Sequence, residues 1–358
     1  MQNVENVLFI NPYHGGSHKQ LIDTLTKYVD KPTTVYLKPK KWHWKARCSG
    51  FILSDLIPPI KNEKVLFCTS VLNLAELLGL RPDLNVLKKV VYFHENQLVY
   101  PVQVMKERDV QYQINEITTC LCADIVIFNS TFNQHSFLTN INKIIKIIPD
   151  FKPKNITEKI KSKCIVLYYP ISYPIINREK DNRPSKLHII WPHRWEYDKN
   201  PEKFCNTLFK LKEFGKEFVV SFLGEQYSEL PEIFLKAKDT LKENILNYGY
   251  IQNRCDFLNY LGMGHVVVST ADHEFFGVAM LESTYLGCYP LVPNDLVYPE
   301  IYPKECLYKN EDELFEKLSG FCDNPTNALD ARKHLNIDLE RFSEETVIPK
   351  FLNVLQNT

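Results

Sequence analysis

The sequence predicts an α/β protein of two parallel-sheet domains. Short apolar runs alternate with helical spacings from end to end, the pattern of strand–helix–strand units. The chain has 358 residues, which suits two domains at ~100–200 residues each. A polar, proline-bearing stretch at 177–186 (NREKDNRPSK) interrupts the alternation, and the same rhythm restarts behind it.

The first half carries expected strands at 7–10, 34–37, 65–68, 90–93, 125–128 and 165–168. Each is an apolar run too short for a helix and rich in β-branched or aromatic residues. Leu21, Leu25 and Val29 recur every four residues, so a helix is expected over 17–29 with Ser17 as its N-cap. A second helix is expected over 109–122. Behind the linker, strands are expected at 187–191, 218–223, 265–269 and 289–292, with helices at 201–214, 230–242 and 275–286. The closing stretch 335–355 reads as one or two helices around Pro349. The expected organisation is a first Rossmann-like domain over 1–176, a linker over 177–186, a second Rossmann-like domain over 187–335 and a C-terminal helix over 336–358. Open parallel sheets bind ligands outside the carboxyl ends of their strands, so the residues after each apolar run are the ones to examine.

Composition narrows the class. With 44% hydrophobic and 24% charged residues the chain is ordinary globular protein, not disordered or collagen-like. Forty-three basic residues balance 43 acidic ones, which argues against a general nucleic-acid coat and leaves room for a local basic patch. The ten cysteines are scattered with no C-x-x-C, and Cys68 and Cys120 sit inside apolar runs as small hydrophobes. The run 7–10 is too short for a signal peptide's apolar core, and no stretch reaches the ~18–20 residues of a membrane span. These features predict a reduced, cytoplasmic protein.

Four segments carry candidate chemistry. After the first strand, His14-Gly15-Gly16-Ser17-His18 opens a helix, where glycines allow close backbone approach and free N–H groups suit an anion; a plain tight turn is the alternative. After the fourth strand stands His94-Glu95-Asn96-Gln97, a polar cluster that faces a ligand or else holds a satisfied structural histidine. It is not H-E-x-x-H, because the residue four on from His94 is Leu98. At the head of the second domain, Arg194 and Lys199 share one loop and can bracket a diphosphate, or can be solvated surface. The strongest signal is Glu274-Phe275-Phe276-Gly277-Val278 with Glu282, an E-x7-E spacing. With a helix from Phe275, Glu274 would stand at its N-terminus and Glu282 two turns on, roughly on the same side. A helix-terminal acid with a chance second acid is the alternative.

A fifth segment is basic and aromatic. Lys38-Pro39-Lys40-Lys41-Trp42-His43-Trp44-Lys45-Ala46-Arg47 holds five Lys/Arg and two of the four tryptophans, with no acid. Cations contact phosphates and flat rings stack on splayed bases, so this stretch reads as an RNA-binding loop. A solvated loop with its tryptophans folded into the core is the alternative.

Together these segments resemble the glycosyltransferase family 4 pattern on the GT-B fold. YHGGSHKQ at 13–20, PKKWHWKAR at 39–47, SVLNLA at 70–75, YFHENQL at 92–98, WPHRWE at 191–196, HEFFGVAML at 273–281 and DLVYPE at 295–300 resemble the tRNA-queuosine α-mannosyltransferases. The resemblance spans nearly the whole chain. It implies parallel sheets facing a central cleft and a C-terminal helix that crosses back to the first domain. It implies GDP-mannose as donor, no cofactor, and queuosine at the wobble position of a tRNA for aspartate as acceptor, with no membrane or protein partner.

By that resemblance Gly15 and Gly16 lie by the diphosphate and acceptor, and Arg194 and Lys199 on the diphosphate. Glu274 binds donor hydroxyls, with Phe276, Gly277 and Val278 beside it, and Glu282 holds the ribose. His94 lies near the reacting carbon. His14, Ser17, His18, Glu95, Asn96 and Gln97 meet the acceptor nucleoside. Lys38, Lys40, Lys41, Trp42, His43, Trp44, Lys45 and Arg47 bind tRNA. The catalytic set is His94, Arg194, Lys199 and Glu274.

No D-x-D motif occurs, so protein cations rather than a bound metal are expected to stabilise the leaving diphosphate. The resemblance implies retention of configuration, and because no carboxylate is an obvious covalent nucleophile, front-face attack is expected. A family 4 enzyme with a lipid or glycan acceptor, and a non-catalytic RNA-binding protein on the same fold, are the competing readings. The first would favour an amphipathic basic helix, and the second would predict erosion of Arg194, Lys199, Glu274 or Glu282.

Overall fold

A computed structural model describes residues 4–100, 110–174, 183–226 and 231–356. Residues 177–182 of the expected linker, Asp109 and Leu230 lie outside the described residues. The chain divides into two units, Met1–Pro170 with Phe342–Thr358, and Ile171–Arg341.

The first unit is built on a six-stranded parallel sheet. Across it the strands run Thr33–Tyr36, Val7–Asn11, Val65–Thr69, Lys88–Phe93, Ile125–Phe128 and Cys164–Val166. The register is continuous, with Val7 opposite Val65 and Val90 opposite Ile125. The central strands are buried along their length because helices cover both faces, which explains why they read as unbroken apolar runs. A two-stranded parallel pair, Val4–Glu5 with Val29–Asp30, lies apart from that sheet. Helices start where local chemistry caps them: Asn73 accepts the Glu76 N–H at 3.2 Å, and Ser130 accepts the Asn133 N–H at 3.0 Å.

The helix Gly16–Thr26 differs from expectation at its start. Gly15 occupies the N-cap, without a side-chain cap, and Ser17 lies inside the first turn. The basic stretch also differs. It is no single loop: Lys41 takes a left-handed backbone (φ 53°), and the helix Trp42–Leu56 begins directly after it. Its buried face is Ala46, Ser49, Gly50 and Leu53, at helical spacing but mostly too small to register as an apolar stripe. Small residues are needed there. A Cβ on Gly50 would lie 2.5 Å from Glu76 Oε2 and 2.9 Å from the Asn73 carbonyl oxygen, on and beside the helix Leu74–Leu80.

The second unit is a six-stranded parallel sheet in the order Ile245–Tyr248, Phe218–Phe222, Leu187–Trp191, Val266–Val268, Tyr289–Pro293 and Leu307–Tyr308. Its first and last strands were not foreseen. Ile245–Tyr248 is only half-buried, and Leu307–Tyr308 has two residues. An aromatic cluster fills one face: Trp195 stacks on Phe234 at 4.1 Å, and Trp191 packs on Phe204 at 5.6 Å. The helix Pro201–Glu213 starts with proline at its first position, and Asn200 caps the Lys203 N–H at 3.0 Å. The expected helix over 275–286 begins later, at Val278, because Gly277 is left-handed (φ 82°) and forms the N-cap.

The closing helix Glu344–Gln356 belongs to the first unit, where Phe351 packs on Tyr92 at 5.5 Å and Phe67 at 6.4 Å. All ten cysteines are free. No helix among the described residues is long and apolar enough to cross a membrane. Phe351→Ala would leave a cavity against two buried rings. The expected cost is ~3–5 kcal/mol, read as a lowered urea midpoint for the first unit's unfolding.

Candidate functional site

Strand order decides where each sheet can bind. In the first unit the order reverses beside Val7–Asn11, and in the second beside Leu187–Trp191. Crevices open at such switch points, outside the carboxyl ends of the strands. The segments singled out in the sequence at 14–18 and at 194–199 follow those two strands directly.

In the first unit Asn11 holds the turn. Its amide nitrogen lies 3.1 Å from His14 Nδ1 and donates to the His18 carbonyl at 3.0 Å, and its Oδ1 accepts the Tyr13 N–H. Gly15 is required by close approach, since a Cβ there would sit 2.5 Å from Pro39 Cβ. Gly16 is left-handed (φ 51°) and faces open space. His14 stacks on Tyr36 at 4.2 Å, and burial lowers its pKa, more than the Asp23 carboxylate raises it.

The rings of His18 and His94 lie 4.0 Å apart, tilted by 34°, and His18 Nε2 lies 3.4 Å from Glu95 Oε2. Burial, aided by His18, drives the His94 pKa well below its usual value. His94 is therefore a neutral imidazole at physiological pH, and its buried Nε2 has no hydrogen-bond partner among the described residues. Asn96 is different. It is fully buried, and its amide is committed to Asn133 Oδ1 at 2.8 Å and Ser136 Oγ at 3.0 Å. It holds the loop and has no surface left for an acceptor, which corrects its expected role.

The basic stretch keeps its exposed face. Lys38, Lys40, Lys41, His43 and Arg47 are exposed, and Trp44 is 64% exposed. Trp42 and Lys45 are half-buried. Tyr112 gathers three of these groups: Trp42 meets its ring edge-on at 5.2 Å, His43 Nδ1 lies 3.1 Å from its hydroxyl, and the Arg47 guanidinium lies over the ring at 5.3 Å.

In the second unit Lys199 is nearly buried. Its ammonium donates to the His273 carbonyl at 2.6 Å and lies 3.2 Å from Asp198 Oδ2 and 3.5 Å from Glu274 Oε2. The other oxygen of Glu274 accepts three consecutive N–H groups, from Phe275 (3.1 Å), Phe276 (3.3 Å) and Gly277 (3.1 Å). Burial pushes the Glu274 carboxyl up, but Lys199, His193, the Phe276 amide and Arg194 together outweigh it and hold the pKa below the ordinary range. Phe276 is buried, while Val278 is half-buried. Arg194 is half-exposed beside Glu196 at 3.1 Å.

Glu282 is buried and gripped by Arg254 through both guanidinium nitrogens, Nη1 to Oε2 at 3.1 Å and Nη2 to Oε1. Arg254, on the helix Arg254–Gly262, carries no sequence signal of its own and was missed. An open cavity of about 250 Å³ lies further along this sheet, beside Lys203, Asp272, Asp295 and Lys309, and none of the expected donor residues lines it. Among the described residues no three His, Cys, Asp or Glu side chains are grouped to hold a metal.

The family model described as tRNA-queuosine alpha-mannosyltransferase N-terminal matches residues 6–171. A Drosophila melanogaster protein named tRNA-queuosine alpha-mannosyltransferase is 47% identical over 362 residues, covering 98% of this chain and 96% of that protein. The chain belongs to the tRNA-queuosine alpha-mannosyltransferase family. Similar solved structures include a sucrose-phosphate synthase from Thermosynechococcus elongatus (TM-score 0.73, 14% identical, 98% of each chain) and a glycosyltransferase from Rickettsia africae (TM-score 0.67, 15% identical, 100% and 99%). HepE from Anabaena, solved with UDP and glucose, aligns at TM-score 0.67 and 12% identity over 99% of this chain and 100% of that one. These likenesses show the GT-B fold. For this mannosyltransferase-family chain they make the parallel sheets of both units expected features of a glycosyltransferase.

The buried histidines of the second unit have a measurable consequence. Burial lowers the pKa of His188 and of His193 to about 4 from an ordinary 6.5. Between those values the unfolded chain binds more protons than the folded unit, so stability falls as pH drops from about 6.5 to about 4. Urea midpoints measured across that range should decline steadily, and the H188Q/H193Q double variant should lose most of the slope.

Proposed function

We propose that this chain transfers mannose from GDP-mannose, with retention of configuration, to a cyclopentenediol hydroxyl of queuosine at the wobble position of a tRNA for aspartate. The observation that carries this reading is the near-full-length match to the Drosophila protein, whose name states both the sugar and the modified nucleoside.

The second unit supports a donor role. Arg194 and Lys199 can meet the diphosphate, and Glu274 can meet sugar hydroxyls with its carboxylate already oriented by three amides. A charged, pre-oriented group needs little reorganisation as charge develops on the leaving diphosphate. In the proposed step the bond from the sugar's anomeric carbon to the phosphate oxygen breaks as the bond to the acceptor hydroxyl forms. The hydroxyl's proton passes to the departing phosphate oxygen, and protein cations rather than a metal carry the charge. His94, held neutral by burial, serves as a hydrogen-bonding group at the transferred sugar. Glu282 takes the ribose, with Arg254 as its counter-ion.

The first unit supports the acceptor role. Trp44 offers an exposed ring among Lys38, Lys40, Lys41 and Arg47, a combination suited to splayed bases and their phosphates. We place the enzyme in the cytoplasm, without cofactor, membrane or protein partner.

The test is to incubate the protein with GDP-mannose and queuosine-containing tRNA, digest the tRNA, and weigh the nucleoside. A gain of one hexose is expected; an unchanged nucleoside overturns the reading. Arg194→Ala should lower turnover by ~10²–10³-fold with tRNA affinity nearly intact. Equal loss of both would contradict its donor role. Trp44→Ala with Lys41→Ala should weaken tRNA binding about tenfold or more and flatten its salt dependence by about one unit of slope, while donor hydrolysis is spared.

A further inference from the structure

Trp42 comes from one stretch of the sequence and Glu95 and Gln97 from another, and the fold of the first unit brings them to one place. With Tyr112, Asn115 and Glu116 they line an open cavity of about 260 Å³. Its enclosed space amounts to about one water molecule, and the rest of that volume is open to solvent. A nucleoside cannot enter it whole, but it can lie across the open mouth with one polar group of its side chain turned toward Glu116.

Glu116 sets the chemistry of this cavity. It lies on the helix Gln111–Cys122 and is 3% exposed. One carboxylate oxygen accepts the Gln97 N–H at 2.8 Å, the one hydrogen bond it makes among the described residues. No Lys, Arg or His of the described residues forms an ion pair with it. Burial pushes its carboxyl well above the ordinary range; the Gln97 amide pulls the other way, and the neighbouring charge of Glu95 raises it further. An acid buried without a counter-ion is costly, and removing the cost takes either a proton or a cation.

The remaining walls favour a cation. Glu95, which lies 3.4 Å from His18 Nε2, adds a second acid to the wall, and two acids together repel an anion. Trp42 and Tyr112 supply aromatic rings, and Tyr112 already draws the Arg47 guanidinium over its face. A protonated amine carries the opposite charge and donates hydrogen bonds only, which matches the Glu116 carboxylate.

We propose that the protonated secondary amine that joins the deazaguanine to the cyclopentenediol of the acceptor lies across the mouth of this cavity, with Glu116 as its counter-ion. This rests on the queuosine reading above. It assigns recognition of the modification to the amine, alongside the hydroxyl that takes the sugar, and explains how a tRNA bearing unmodified guanosine would be rejected. The buried acid would then be left unpaired.

Competition binding on the full-length native protein tests it with three versions of one tRNA. These carry queuosine, 7-aminomethyl-7-deazaguanosine, or guanosine at the wobble position. The second keeps an amine and lacks the cyclopentenediol. It should bind about tenfold or more tightly than the guanosine form, and Glu116→Gln should abolish that difference while leaving the KM for GDP-mannose unchanged. If the aminomethyl and guanosine forms bind native protein equally, the amine pocket is overturned without any variant. If Glu116→Gln folds and keeps the preference, Glu116 is not the counter-ion and the proposal fails. Binding that discriminates as expected while no hexose is transferred would overturn the acceptor reaction and not the pocket.

Discussion

Parallel strand pairing is the constraint on which the rest of this molecule depends. When every strand in a sheet runs the same way, every carboxyl end leaves at one edge, and the chain must return by a covering helix. Both faces are then apolar and closed, so polar function has one place to stand. In both units the reversal of strand order opens that edge at a particular pair of strands. Asn11, Gly15 and Gly16 in the first unit, and Arg194 and Lys199 in the second, lie where that reversal leaves the edge uncovered.

Burial of charge is answered differently from group to group. Around Lys199 every acid has a partner: Glu274 is held by an ammonium and three amides, and Asp198 lies beside the same ammonium. Glu274 is thereby kept ionised and oriented. Glu282 has Arg254, yet burial outweighs that partner and raises its pKa. Desolvation also prevails at His188 and His193 of the second unit and at His94 and Glu116 of the first. His94 is driven neutral and Glu116 toward its protonated form, because burial outweighs the contacts each makes among the described residues. A group left in that condition gains most from whatever ligand completes it.

The strands show how much was legible. Leu187–Trp191 and Ile125–Phe128 coincide with the apolar runs that predicted them, because burial on both faces writes itself into the sequence as an uninterrupted apolar string. Ile245–Tyr248 and Leu307–Tyr308 escaped because an outer strand is half-covered or very short. The helix Trp42–Leu56 escaped for another reason. Its inner face is made of Ala46, Ser49 and Gly50, whose small size is the packing device, and small residues leave no apolar stripe to read. The late start of Val278–Tyr285 turns on one glycine's φ angle, which composition does not encode.

By itself the sequence determined the two parallel sheets, the identity of the loops that follow their strands, and the basic and aromatic character of the stretch at 38–47. Those follow from apolar periodicity and from charge, which are local. Only the tertiary structure decided that Asn96 is a buried brace, that Arg254 answers Glu282, and that Glu116 shares a cavity with Trp42 and Glu95. Each of these is a meeting of residues far apart in the chain, and the desolvation that gives them their chemistry exists only once the helices have closed over them.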